Sequence, residues 1–109
     1  MALPLPDYKE LIMIDFGTTI RKWRKKRDLK QDKLAQRLGV TSTYLSSLEN
    51  NRKEPSISLL NSICKELNIP REIFFWDSIS TDDIDKINFR NKKILKAAKQ
   101  IVDAYCQEN

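Results

Sequence analysis

The feature that most constrains the fold is a glycine between two short helical patterns. One pattern runs from Gln31 to Leu38, and only Gly39, Val40 and Thr41 precede the next one, Ser42 to Asn50. A glycine can end a helix in a left-handed conformation that a residue with a Cβ enters only at a cost. Four leucines are placed to join the two helices: Leu34, Leu38, Leu45 and Leu48. This spacing predicts a helix-turn-helix, the arrangement that presents its second helix to a DNA major groove.

The helix predicted over Ser42 to Asn50, the third of the domain, has an uncharged outer face. At about 100° per residue, Ser42, Thr43, Ser46 and Ser47 fall within roughly 140° of one another, and Leu45 and Leu48 fall on the opposite side. Surface helices more often carry Lys and Glu. Small hydroxyl side chains suit a surface that approaches base edges closely, so these four are the candidate base contacts. The alternative is that they only cover the surface. Tyr44 lies at the margin of this face, where it either contacts the sugar-phosphate backbone or packs beneath it.

Positive charge is concentrated beside these helices. The chain has 20 Lys+Arg against 15 Asp+Glu and a sequence pI near 9.3. Arg21 to Lys33 alone contain eight basic and two acidic residues, and Arg52 and Lys53 follow the third helix. Such a cluster is typical of a phosphate-binding surface, with Arg21, Arg52 and Lys53 as candidate contacts. The alternative is a basic helix whose charges keep the protein soluble.

Composition argues against catalysis. The chain has no histidine, two glycines and two cysteines. This excludes histidine general bases, mixed Cys/His zinc sites and glycine-rich phosphate loops, so we expect no enzyme, no cofactor and no metal. Cys64 and Cys106 are expected to be buried thiols in a reducing cytosol. No signal peptide is evident, and the longest apolar run, Leu11 to Ile14, is far below the roughly 20 residues of a membrane span. We therefore expect a cytoplasmic protein.

The chain divides into four parts. Residues 1–15 form an N-terminal arm, 16–76 the helix-turn-helix domain, 77–81 a polar connector and 82–109 a C-terminal helix. Asp15, Ser56 and Pro70 are placed to begin the first, fourth and fifth helices of the domain. No period-two pattern supports strands. The sequence predicts an all-α fold of five helices with a helical extension.

The C-terminal helix carries an apolar seam. Its members alternate at spacings of four and three: Ile87, Asn91, Ile94, Ala98, Ile101 and Tyr105. That spacing is typical of helices that pair, so this helix is the expected dimerisation element. Two alternatives stay open. The helix either packs on its own domain or binds a different protein through residues 82–107.

The segment from Phe16 to Phe75 resembles the lambda-repressor-like (Cro/CI, XRE-type) helix-turn-helix family of DNA-binding transcriptional regulators. The matching residues are Ile20, Arg24, Leu29, Gln31, Leu34, Ala35, Gly39, Val40, Leu45, Ser46, Leu48, Glu49, Pro55, Leu59 and Leu60. The resemblance implies that Gln31 caps the second helix and contacts a phosphate, and that Arg24 pairs with Glu49. It also implies phosphate contacts from Asn50, Asn51, Arg52 and Lys53. Family members often place Gln, Arg or Lys at the base-reading positions, so this chain departs from the pattern there. Short hydroxyls favour readout through water or DNA shape.

These observations predict a dimeric, sequence-specific regulator of transcription, a repressor that reads a palindromic operator in double-stranded DNA through residues 42–50. The expected partners are duplex DNA and a second copy of the chain, with no membrane. The alternative is an antitoxin or adaptor whose C-terminal helix binds a partner protein, with DNA binding serving autoregulation.

Overall fold

The computed structural model describes residues 14–79 and 89–108, with side chains for 14–79 and 96–108. These residues form six helices: α1 Phe16–Lys26, α2 Gln31–Leu38, α3 Ser42–Glu49, α4 Ile57–Glu66, α5 Arg71–Asp77 and α6 Phe89–Glu108. Within these two ranges there is no strand, only an isolated antiparallel bridge between Ile14 and Ile79. The predicted all-α class, with five helices before an extension, is confirmed. Residues 1–13 of the expected arm, residues 80 and 81 of the connector and residues 82–88 of the expected C-terminal helix lie outside the described residues.

Helices α1 to α5 form one compact unit, Asp15–Ser78. Apolar side chains from every helix are buried in its core: Ile20, Trp23, Leu34, Leu45, Leu48, Ile63, Leu67 and Phe74. They recur at the three- and four-residue spacings of amphipathic helices, and this burial supplies most of the free energy that opposes unfolding. Ile57, the first residue of α4, has the spacing of this apolar stripe but is not part of the core. Ile57 stands at the first turn and is 79% exposed.

Short local signals set the helix ends, as the sequence predicted. The Asp15 side chain accepts a hydrogen bond from the Thr18 N–H, and Ser56 does the same for Leu59. Gly39 ends α2 with a φ of 71°. The implied cap at Gln31 needs correction, because Lys30 is the N-cap residue of α2 and makes no side-chain cap bond. Gln31 is the first helical residue, one position beyond the place from which a side chain caps a helix.

Charged and aromatic contacts join α1 to the end of α5. The Asp77 carboxylate accepts a hydrogen bond from Trp23 Nε1 at 2.8 Å and pairs with Lys22. The Phe16 and Phe74 rings stack with centroids 6.0 Å apart. The backbone N–H of Asp15 donates to the Ser78 carbonyl at 3.0 Å. The two ends of this unit therefore lie side by side.

Helix α6, with Ile14 and Ile79, belongs to a second unit. Along its described side chains, Lys99, Val102 and Cys106 are buried, whereas Ile101 is 71% exposed. The predicted seam therefore lies beside the buried stripe rather than on it. Its members Ile87, Asn91 and Ile94 fall outside the described side chains. No helix in the described part of the chain is long and apolar enough to cross a membrane.

Candidate nucleic-acid interface

Helix α3 presents the predicted hydroxyl face. Ser42 and Thr43 are exposed, and Ser46 and Ser47 are half-buried. Leu45 and Leu48, on the other side of the helix, are at most 1% exposed. The Thr41 hydroxyl accepts a hydrogen bond from the Tyr44 N–H at 3.0 Å and so caps the helix. The structure thus brings the four candidate base contacts together on one small, uncharged surface.

A buried ion pair fixes the end of α3 against α1. Arg24 Nε and Nη2 donate to Oε2 and Oε1 of Glu49 at 2.9 and 3.0 Å, and Arg24 Nη1 donates to the Leu29 carbonyl at 2.9 Å. The Glu49 side chain has no solvent exposure. Bidentate pairing defines distance and angle together, and the cost of removing both charges from water offsets much of their attraction. The pair therefore orients α3 more than it stabilises the fold.

Two residues expected at phosphates are bonded to each other. Arg21 Nη2 donates to Asn50 Oδ1 at 2.8 Å, while Arg21 Nε lies 3.4 Å from Glu49 Oε1. Asn50 Nδ2 in turn donates to the Ser46 carbonyl at 2.9 Å. Both polar ends of the Asn50 amide are thereby engaged within the domain.

Asn51 is tied to the start of α1. Its Nδ2 donates to Asp15 Oδ1 at 2.7 Å, and its Oδ1 accepts from the Gly17 N–H at 3.0 Å. Burial alone would raise the pKa of Asp15, but the hydrogen bonds from Thr18 and Asn51 and the charge of Arg21 hold it below its ordinary value. Sequence reasoning expected Asn51 at a phosphate and missed this contact.

Gly17 is the second feature that the sequence analysis missed. A Cβ there would lie 2.5 and 2.6 Å from the carbonyl oxygens of Leu48 and Glu49. The start of α1 therefore contacts the last turn of α3 through bare backbone. The signal was available in the sequence, since a chain with two glycines places one of them in the first turn of a helix.

The remaining candidate phosphate contacts differ in exposure. Arg52 and Lys53 are exposed, and Lys53 Nζ lies 5.2 Å from the centroid of the Tyr44 ring. Tyr44 and Gln31 are half-buried. Among the residues that the structure describes, no group of three or more His, Cys, Asp or Glu side chains could hold a metal ion.

This geometry defines a helix-turn-helix domain, with α2 as its first helix and α3 as its second. Residues 20–74, half of the chain, match the family model described as helix-turn-helix. The chain belongs to this helix-turn-helix family, of the XRE type.

Curated relatives carry names of regulators and control proteins. The ImmF control region 10 kDa protein of Bacillus phage phi105 is 42% identical over 53 residues, which cover 49% of this chain and 59% of the phage protein. Control protein C.MunI of a Mycoplasma species is 37% identical over 67 residues, 61% of this chain and 90% of that protein. The chain spans 42% of the length of two uncharacterised HTH-type transcriptional regulators of Mycobacterium tuberculosis.

Solved structures of regulators are similar as well. The clp gene regulator ClgR of C. glutamicum aligns with a TM-score of 0.57 and 31% identity, over 59% of this chain and 83% of that one. The biofilm regulator SinR, solved in complex with DNA, aligns with a TM-score of 0.51 and 32% identity, over 54% of this chain and 95% of that one. The family model spans residues 20–74, from within α1 to within α5.

Proposed function

We propose that this protein is a sequence-specific transcriptional regulator, a dimeric repressor that reads a palindromic operator through α3. The hydroxyl face of α3 is the observation that carries the proposal. Ser42, Thr43, Ser46 and Ser47 lie on one side of a helix whose opposite side is buried. The proposal describes a binding protein and not an enzyme, in keeping with the names of the relatives.

Base contact would occur through the hydroxyls. Ser and Thr can donate to or accept from several bases, so each contact discriminates less than a bidentate Arg or Gln. The Ser47 hydroxyl already donates to the Thr43 carbonyl at 3.1 Å, which leaves its oxygen lone pairs as acceptors. We infer that recognition combines these weak contacts with water-mediated contacts and DNA shape.

Phosphate contact would come from the edges of the same surface. Arg52 and Lys53 would supply charge after α3, with Tyr44 beside them, and Gln31 would contribute at the start of α2. Arg21 Nη2 is already bonded to Asn50 Oδ1. Arg21 and Asn50 would therefore bind a phosphate only through their other N–H groups. Duplex DNA as the partner also implies a cytoplasmic protein.

Dimerisation would use α6. Ile101 is 71% exposed, and its seam neighbours Ala98 and Tyr105 are half-buried. A second copy that covers this apolar stripe would remove it from water. Two copies would then place their α3 helices on half-sites about 34 Å apart.

Selection of bound duplexes from a random pool tests the proposal. We expect an enriched inverted repeat whose half-sites are separated by about 10 bp, one helical turn. Enrichment of a sequence without inverted symmetry would contradict binding as a dimer, but it would not contradict sequence-specific DNA binding. A pool that shows no enrichment, with a protein that remains monomeric, would favour an adaptor that binds another protein through α6.

A further inference from the structure

We propose that Asn51 is a positioning residue: with Asp15 and Gly17 it holds the segment after α3 so that Arg52 and Lys53 reach DNA phosphates. This inference rests on the proposed DNA-binding function. It gives Asn51 a role other than the phosphate contact expected from the sequence. Asn51, Asp15 and Gly17 form the Asn51 cluster.

The side-chain amide of Asn51 donates one hydrogen bond and accepts another. Its amide nitrogen donates to the Asp15 carboxylate at 2.7 Å, and its amide oxygen accepts from the Gly17 N–H at 3.0 Å. An amide that donates to a carboxylate and accepts from a backbone N–H has its orientation defined by chemistry, since a flip would place oxygen against oxygen. Both polar groups of the Asn51 side chain are thus hydrogen-bonded to residues at the start of α1.

The backbone conformation of Asn51 is also restrained. Its φ is 57°, in the left-handed region that most side chains avoid and that Asn enters more readily. The Asn51 N–H donates to the Leu48 carbonyl at 3.1 Å, and the Arg52 N–H donates to the Ser47 carbonyl at 2.9 Å. These bonds end α3 and set the direction in which the chain leaves it.

The charged residues follow at once. Arg52 and Lys53 are the next two residues and are exposed. No described hydrogen bond or ion pair joins the Arg52 side chain to the domain, so its approach to DNA depends on the backbone that carries it. Lys53 lies against Tyr44, which belongs to α3. A fixed position of residue 51 therefore defines where the backbone of Arg52 and Lys53 begins. Less conformational entropy is then lost when these two residues bind DNA.

Asn51→Gly is the direct test, because glycine keeps the positive φ and loses both side-chain bonds. Asn68→Gly is the matched control. Asn68 also has a positive φ, 52°, directly beyond α4. Binding is measured by fluorescence anisotropy on a labelled mixed-sequence duplex of about 30 bp, since phosphate contacts do not depend on sequence. Thermal unfolding of each variant is recorded in parallel.

We expect Asn51→Gly to weaken binding about two- to tenfold, the worth of about one hydrogen bond. We also expect it to reduce the slope of log K against log salt by about one unit. Asn68→Gly should leave both unchanged. Equal affinity and equal salt slope for Asn51→Gly and the unaltered protein would overturn the proposal. A loss of affinity that only follows a lower melting temperature, shared by Asn68→Gly, would overturn it too.

Exchanging the partners gives a second test. Asn51→Asp sets two carboxylates against each other, whereas Asp15→Asn with Asn51→Asp restores one donor and one acceptor without changing net charge. The double variant should recover most of the affinity that Asn51→Asp loses. Asp15→Asn alone should change little. If Asp15→Asn improves binding equally in both backgrounds, the effect is long-range charge and the proposed positioning is wrong.

Hydrogen exchange separates this proposal from the proposed function. In the free protein, the Arg52 N–H should exchange faster in Asn51→Gly than in Asn68→Gly. If the unaltered protein binds neither this duplex nor any selected one, the DNA-binding function fails. The exchange rates then still decide whether the Asn51 cluster orders the segment.

Discussion

Replacement of Gly17 by alanine tests how closely α1 must approach α3. The added Cβ would lie 2.5 Å from the Leu48 carbonyl oxygen, 2.6 Å from that of Glu49 and 2.7 Å from Asn51 Oδ1. Two of these three atoms are backbone and cannot rotate away. Ordinary van der Waals contact of a Cβ begins at 3.4 Å, so α1 and the end of α3 must separate by nearly 1 Å. That turn carries the buried Glu49 side chain and leads to the Asn51 cluster.

Two opposing effects set the magnitude. Alanine gains at most about 1 kcal/mol over glycine from helix propensity, and less near a helix end. Overpacking of a close contact costs about 1–3 kcal/mol. We expect a net loss of about 1–2 kcal/mol, which corresponds to a fall in melting temperature of roughly 4–16 °C for a unit of this size. DNA affinity should fall as well, because α3 turns relative to α1.

Thermal and urea unfolding, followed by circular dichroism, measure the loss of stability. Lys25→Ala is the control, since Lys25 is an exposed residue of the same helix and its change should stay within about 0.5 kcal/mol. A Gly17→Ala variant as stable as the unaltered protein, or more stable, would refute the reasoning. It would mean that helix propensity outweighs the contact and that α3 is not held at this distance.

Four further outcomes are expected. Arg52→Ala should weaken binding to all duplexes alike and reduce the salt slope by about 0.9, measured by anisotropy at several salt concentrations; an unchanged slope removes it from the phosphate contacts. Thr43→Ala should change the preferred sequence in a selection experiment, whereas a uniform loss would argue against base contact. Ile101→Glu should shift the proposed dimer towards monomer in analytical ultracentrifugation, with Gln100→Glu as control. Equal shifts in the two variants would exclude the seam as the dimer contact. Because the folded-state pKa of Asp15 lies below its ordinary value of 3.8, its contribution to stability is present above that pH and is lost as the pH falls further. Asp15→Asn should lack this part of the acid dependence in urea unfolding between about pH 2 and 6, and an identical dependence would contradict it.

The parts of the fold that local chemistry determines could be predicted from the sequence. Asp15 and Ser56 cap helices because their oxygens reach an N–H three residues later, and Gly39 ends α2 because its φ is positive. Each signal acts within one turn of chain. The buried and open sides of α3 also follow from local periodicity, and the structure has the predicted leucines inside and the hydroxyls outside.

Contacts between distant residues could not be predicted in the same way. Asp15 and Asn51 are 36 residues apart, and nothing in the local pattern of either distinguishes a partner in the fold from a phosphate ligand. Gly17 has a role only because the end of α3 lies against it. Ile57 fits the apolar stripe of α4 by spacing, yet it stands at the first turn and is 79% exposed. Periodicity defines a face and not what packs against that face.

The basic residues from Arg21 to Lys33 show that local sequence does not reveal which charges are paired in the fold. Eight basic residues lie between positions 21 and 33, and the side chains of four of them make hydrogen bonds or ion pairs within the domain: Arg21, Lys22, Arg24 and Arg27. Arg27 donates to the Leu67 carbonyl at 2.7 Å and so binds the end of α4. Counting charges along the sequence treats all eight as equally available to DNA. Half of them, however, already make hydrogen bonds or ion pairs that join α1 to other helices of the domain. Much of the positive charge of α1 therefore joins helices within the domain, and in the proposed complex with DNA the direct phosphate contacts would depend more on Arg52 and Lys53.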